Sequence, residues 1–518
     1  MKKHLIPFIA CSPFIPVSIY SQISQHPNII MFLVDDMGWQ DTSVPFYNNE
    51  LTSLNKRFIT PNMERMAQMG VRFTDAYACA ISSPTRCSLM SGMNASRHRV
   101  TNWTLELDQK TDAKSDVIDL PEWNYNGIQP ASEEKEINNS TAITSLPQVL
   151  KENGYRTIHC GKAHFGARTT PGADPINMGF DVNIAGGANG APGSYLGTKN
   201  FGEGSRFAVQ GLEKYYGQDI FITEALTREA ITEMEKSVKM DKPFYLYMSH
   251  YAVHTPYDDD KRFSQKYRGR YDEQLKTGLN ENEAKYAELV EGMDKSLGDI
   301  LDYLQKNPEV AQNTILLFMS DNGGQGLNNV RQGVANRDQN YPARGGKGSA
   351  FMGGVREPMM VYWPGVTKPN TECSQRVIIE DFYPTILDMA GVKKYTTHQV
   401  IDGVSFADVL KSPEKTKDRV LIWHFPNLWG ESQNKEEGYG AYSAILKGDY
   451  HLIYTWETRQ LRLYDVKKDI GEQNDLSQTM PDKVKELAAE LSDYLRERDA
   501  QRPSLKSTGE VIPFPDEQ

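Results

Sequence analysis

Asn28-Ile29-Ile30-Met31-Phe32-Leu33-Val34-Asp35-Asp36 sets the fold. An unbroken apolar run ends abruptly at two carboxylates. A run this short, with no polar residue at every second position, suits a strand covered on both faces. Three other stretches repeat the pattern. Residues 155–160 run into Gly161-Lys162-Ala163-His164. Residues 244–248 are followed by His254. Residues 314–319 run into Ser320-Asp321-Asn322-Gly323-Gly324. Between them the spacing turns helical. Thr60-Pro61 reads as an N-cap with Pro at the first helical position, and Gly70 as the stop. Leu226, Ala230 and Met234 share one face, as do Tyr286, Val290, Met293, Leu297, Ile300 and Leu304. Alternating strands and helices predict an α/β fold on a mainly parallel sheet. In such sheets ligands gather beyond the carboxyl ends of the strands. Four strand ends bearing Asp, Asn, Lys and His place the candidate site there.

The pattern changes after about residue 412. Residues 419–424, 441–446, 450–454 and 461–464 read as short strands at hairpin-like intervals. Residues 483–496 read as an amphipathic helix with Val484, Leu487, Leu491 and Leu495 on one face. The expected organisation is an export signal over 1–21, a catalytic unit over 22–412, and a smaller antiparallel sheet with a closing helix over 413–518. The tail from Pro503 is expected to lie on the surface.

The chain has 518 residues, 39% hydrophobic and 24% charged, with a net charge of −11. That charge, with no Lys/Arg block to offset it, excludes nucleic acid as partner. Lys2 and Lys3 precede a mostly apolar segment over 5–20, with cleavage placed at Ser21/Gln22, so the protein is expected to be exported, periplasmic or secreted. The segment is too short and too broken by Pro7, Pro13 and Pro16 to span a membrane. A lipid anchor at Cys11 is the lesser alternative, because the apolar run continues past it. Cys79, Cys87, Cys160 and Cys373 lack paired zinc-type spacing and read as buried thiols.

Asp35, Asp36, Asp321 and Asn322 form an all-oxygen set from two strand ends. Hard cations prefer oxygen, so calcium or magnesium fits better than zinc. Arg86, Lys162 and Lys347 are candidate anion holders. His164 and His254 are candidate acid/base groups. Three Asp and one divalent cation sum to −1, and three basic residues bring the pocket to about +2, which suits a monoanionic ester. Ser82-Ser83-Pro84-Thr85-Arg86 places a small hydroxyl, a rigid Pro and a fixed cation within five residues, just before a predicted helix.

That segment resembles the activation motif of type I sulfatases, in which a Cys or Ser followed by x-Pro-x-Arg is oxidised to formylglycine. The resemblance continues through residues 27–36, Gly154-Tyr155 to Gly166, Lys242-Pro243-Phe244 to His254-Thr255-Pro256, residues 320–324, Arg344-Gly345-Gly346-Lys347-Gly348, Gly448-Asp449-Tyr450 and Leu463-Tyr464-Asp465. It implies an alkaline-phosphatase-like sheet sandwiched by helices. Met352 and Glu357 depart from the family pattern at positions with no proposed reactive role.

The resemblance implies that Ser82 is a precursor. Its formylglycine would be hydrated to a diol, with one oxygen held by a calcium ion together with Asp35, Asp36, Asp321 and Asn322. Arg86, Lys162 and Lys347 would stabilise the diol and the sulfate charge. His254 would protonate the leaving alcohol, and His164 would help deprotonate the second diol oxygen. A serine-competent radical maturase is the implied partner and a sulfated saccharide the implied substrate, with galactose or N-acetylgalactosamine sulfate favoured. Arg168, Arg337, Asp338 and His424 are candidate sugar contacts. Two alternatives stay open: a phosphoesterase of the alkaline phosphatase superfamily using unmodified Ser82, and a non-catalytic glycan-binding protein.

Overall fold

The computed structural model describes residues 26–132, 137–325, 339–430 and 434–518. The expected export segment with Cys11, and the candidate contacts Arg337 and Asp338, lie outside the described residues. The main sheet has eight strands: β1 (Asn28–Val34), β2 (Val71–Phe73), β3 (Arg156–Gly161), β4 (Val182–Ile184), β5 (Phe244–Ser249), β6 (Thr314–Ser320), β7 (Met359–Tyr362) and β8 (Thr371–Cys373). Their spatial order is β8-β2-β7-β6-β1-β5-β3-β4. From β6 to β4 every neighbouring pair is parallel; β7 runs against both of its neighbours.

Register places the polar strand ends. Val34 pairs with Ser320, Leu33 with Ser249, and Gly161 with Ser249. β6, β1, β5 and β3 therefore stop at one level, and the residues just beyond them are brought together. All of β1 is buried. Its six apolar side chains contribute roughly 9–18 kcal/mol of gross burial free energy. That anchors the strand firmly enough to hold two dehydrated carboxylates at its end.

Helices α1 (Pro61–Met69), α2 (Ser82–Ser91), α3 (Leu146–Glu152), α4 (Ile222–Lys239), α5 (Glu281–Lys306) and α6 (Phe382–Met389) surround the sheet. α1 starts at Pro61 and stops at Gly70, but Thr60 does not cap it. Its hydroxyl bonds Thr42 and Ser43 instead. The orphan N–H groups of Asn62 and Met63 are taken by Asp294 of α5, at 3.1 and 2.7 Å. Among the described residues no helix is long and apolar enough to cross a membrane. Cys79, Cys87, Cys160 and Cys373 are free and buried.

The C-terminal part is a four-stranded antiparallel sheet of β9 (Leu421–Phe425), β10 (Tyr442–Lys447), β11 (Tyr450–Thr455) and β12 (Gln460–Asp465), closed by α7 (Pro481–Glu497). Both of its faces are used. Leu421, Trp423, Phe425, Ala444 and Ile453 join the core of the main sheet. Ile422, Ile445, Leu452 and Leu463 alternate with them and pack under Leu487, Leu491 and Leu495 of α7. The tail differs from the surface segment expected. Ser504 and Leu505 pair with Asp119 and Ile118, and Ile512 and Phe514 are buried in the second core. The pairing and the two buried apolar side chains hold the tail against the second core.

Candidate active site

Asp35 and Asp36 leave β1, and Asp321 and Asn322 leave β6. Asp36 takes a left-handed backbone conformation, φ 60°. Its N–H donates to Asp321 Oδ1 at 3.1 Å, stitching the two turns together. The carboxylates of Asp35, Asp36 and Asp321 are buried, and one oxygen of each lies within 4.8 Å of the others. Asn322 Nδ2 donates to Asp36 Oδ1 at 2.8 Å. This leaves Asn322 Oδ1 facing the hydroxyl of Ser82. A cluster of three acids and one amide oxygen is a donor set that fits a hard divalent cation.

Ser82 is the first residue of α2, at the helix's positive end. Its Oγ donates toward Asp35 Oδ1 and Asn322 Oδ1, each at 3.1 Å, and accepts from Lys162 Nζ at 3.0 Å. Lys162 also reaches both Asp35 oxygens at 2.8 Å. The lysine is aimed by Gly161, whose φ of +108° and closeness to Ser249 O (1.8 Å from an added Cβ) no other residue would tolerate. Arg86 lies one helical turn beyond Ser82. It donates from Nε and Nη2 to Asp321 Oδ2 and from Nη1 to Lys162 O and Ser249 Oγ. Lys347 meets the Asp36 oxygens at 2.7 and 2.8 Å.

Burial dominates the electrostatics. It pushes the Asp35 carboxyl up and the Lys162 ammonium down, against their mutual attraction. Burial also opposes ionisation of Asp36 and Asp321. For Asp36, Lys347 and His254 overcome it; for Asp321, Arg86 and Lys162 do, so both carboxyls sit below their usual range. Asp36 and Asp321 thus each have cations that keep the carboxylate ionised out of water, whereas at Asp35 burial prevails over Lys162.

The two histidines differ. His254 Nδ1 donates to Thr255 O at 2.8 Å, and Nε2 stands 3.6 Å from Asp36 Oδ2. Burial and Lys347 lower its pKa to about 4. His164 Nε2 bonds Thr104 O at 2.8 Å, leaving a buried Nδ1 without a hydrogen-bond partner. Burial and Lys162 hold it well below the usual imidazole range.

Ser82, Lys162, His164, His254 and Lys347 line one cavity of about 230 Å³. Trp103, Phe207 and Trp429 supply its apolar wall, and Gln325 donates to Asp36 Oδ2 at 3.3 Å. The sequence distinguishes none of these four, because each comes from a connecting loop. The one available signal is that large aromatics are uncommon in exposed loops.

Two of the candidate sugar contacts, His424 and Arg168, are engaged with other groups of the fold. His424 is buried in β9; its ring bonds Ser443 Oγ at 2.8 Å and Gln501 O at 2.9 Å. Both nitrogens are consumed within the fold, tying the tail to the small sheet. Arg168 pairs with Glu106, Asn189 and the Arg206 carbonyl and lines an open groove. Its partners Asn189 and Arg206 adjoin Gly190 and Phe207, which line the cavity.

A parallel sheet with an acid-and-cation cluster at its strand ends, and a serine at a helix start within it, defines a class of ester hydrolases. Residues 27–392 match the family model described as Sulfatase. The chain belongs to the sulfatase family and is a sulfuric ester hydrolase. Residues 347–501 match the model described as N-sulphoglucosamine sulphohydrolase, C-terminal. A sulfatase of Formosa agariphila is 29% identical, covering 91% of this chain and 88% of that protein. The N-acetylgalactosamine-6-sulfatase of Mus musculus is 30% identical, covering 78% of this chain and 69% of its own length. The crystal structure of Ps i-CgsB in complex with k-i-k-neocarrahexaose superposes with a TM-score of 0.67 at 25% identity, over 91% of this chain and 93% of that one.

Proposed function

We propose that the enzyme hydrolyses a sulfate monoester on a carbohydrate, with Ser82 converted to formylglycine by a serine-type radical maturase and with one calcium ion. The observation that carries this reading is the position of Ser82 Oγ, shared by Asp35, Asn322 and Lys162 in the cavity. Asp35, Asp36, Asp321 and Asn322 would hold the calcium, which supplies charge neutralisation and polarisation when bound. Formylglycine supplies a hydrated aldehyde, with one oxygen to attack sulfur and a second to expel sulfate afterwards.

The remaining roles belong to the chain's own side chains. Lys162, Lys347 and Arg86 offset charge on the sulfate oxygens. His254 gives a proton to the leaving alcohol. With Nδ1 on Thr255 O, the ring gains the needed Nε2 proton only beside added negative charge, which the sulfate ester brings. His164 accepts a proton at its unpartnered Nδ1. Trp103, Phe207 and Trp429 exclude water and offer apolar faces to a sugar ring. Galactose or N-acetylgalactosamine sulfate is the proposed substrate class; the name of the mouse relative supports the amino sugar.

The test joins mass spectrometry of the Ser82 peptide with sulfate release from sulfated sugars. Protein made with a serine-type maturase should show loss of two hydrogens at Ser82 and should release sulfate. Phosphatase activity from the unmodified serine, with no sulfate release from the modified form, would overturn the reading.

A further inference from the structure

Lys347 lies on a glycine-rich loop, and the loop's anchor is in the other half of the molecule. Lys347 N donates to Gly324 O at 2.9 Å, and Gly323 N donates to Gly354 O at 3.1 Å. The loop therefore carries one site cation and also braces the turn that presents Asp321 and Asn322.

Both ends of the loop converge on Glu472, in the segment after β12. Glu472 Oε2 accepts from Met352 N at 2.7 Å, and Glu472 O accepts from Arg344 Nη1 at 3.0 Å. Oε1 accepts from His451 Nδ1 of β11 at 2.6 Å, and both side chains are fully buried. The Glu472 backbone is left-handed, φ 48°. A long charged residue so constrained has few alternative rotamers or routes to water. Its two carboxylate oxygens serve one partner on each side of the boundary between the sheets. Charge-assisted bonds of this type are short and directional.

We infer that Glu472 is a positioning residue for sulfate-ester hydrolysis, acting through the 344–354 loop to set Lys347 against Asp36. The inference rests on the proposed role of Lys347 at the sulfate. Gly348 N donates to Ala80 O at 2.7 Å on the catalytic side of the loop, and Glu472, beside the small sheet, holds its two ends. Displacing a site group by about 1 Å can cost up to ~10²-fold in rate.

The test is a double-mutant cycle on formylglycine-bearing enzyme, with 4-nitrophenyl sulfate as probe. It is paired with hydrogen–deuterium exchange over 344–354 and 321–324. Glu472→Gln should lower kcat/KM by about 10-fold or more, yet lower it less than about twofold further when added to Lys347→Ala. Exchange should rise in those two segments in Glu472→Gln, and not in Leu491→Ala, which loosens the second core without touching the loop. Losses that multiply, or exchange that rises equally in both variants, would overturn the inference. Full turnover in Lys347→Ala would instead remove Lys347 from the reaction; the exchange pattern then decides whether Glu472 anchors the loop.

Discussion

Arg86 and Asp321 form a fully buried ion pair in which Nε and Nη2 share Oδ2 at 3.0 and 2.8 Å. Neither side chain has water to fall back on. Removing one partner strands the other, and a stranded buried charge costs about 3–5 kcal/mol. Arg86→Ala should therefore lower stability by that amount as well as abolish turnover. Arg86→Lys should recover only part, because an ammonium cannot bond Asp321, Lys162 O and Ser249 together. Urea unfolding of the three proteins checks the order; an unshifted midpoint in Arg86→Ala would contradict it.

Calcium should stabilise the folded protein. A ligand at about 100 times its Kd adds about 2.7 kcal/mol. The melting temperature should rise with calcium, return on adding EGTA, and respond much less in Asp36→Asn. A flat response in the wild type would remove calcium from the site.

Ser82→Cys separates the identity of the precursor from the rest of the site. In a host with only a cysteine-type maturation system, the wild type should be inert and Ser82→Cys should gain sulfate release. The substituted group would stand beside the same three neighbours, Asp35, Asn322 and Lys162. Equal activity of both proteins in that host would contradict the expectation.

Acid should unfold the protein partly through its histidines. Burial lowers His98, His159, His250 and His424 to about 3, from 6.5. Below pH 6.5 the unfolded chain takes up protons that the folded chain refuses until about pH 3. Their stabilisation is thus complete above 6.5 and is lost as pH falls. Each contributes a slope of up to about 1.4 kcal/mol per pH unit. Asp294 and Glu380, pushed up by burial to about 7 and about 8, run in the opposite sense. The difference between wild type and His424→Gln isolates one histidine. Its curve from pH 4 to 6 should be shallower by about one proton, and identical slopes would contradict the assignment.

The sheet and the reactive cluster are legible in the sequence because one physical rule generates both. Apolar runs bury strands, and the polar residues at the ends of parallel neighbours must gather at one edge. Asp35, Lys162, His254 and Asp321 can be placed together without knowing any loop. His424 and Arg168 cannot, since a histidine in an apolar run and an arginine in a glycine-rich loop have no period to fix their direction. Trp103, Phe207 and Trp429 are hidden for the same reason. The tail reads as surface because Ile512 and Phe514 have no core of their own; residues distant in sequence such as Ile118 and Leu495 share the cluster that seats them. Glu472 carries no local signal beside Leu463-Tyr464-Asp465, because its importance lies in the loop it holds across the sheet boundary.

All ten residues of α2, from Ser82 to Ser91, are buried. An enzyme that oxidises Ser82 would have to seat this segment in its own cleft, which the closed fold forbids. On the proposed reading folding would be a deadline: a chain that closes with its serine intact would stay in the inactive form. Unfolded chain should be accepted by the maturase and native chain refused. The same burial that keeps water from the reaction would make activation a decision taken once in the life of each molecule.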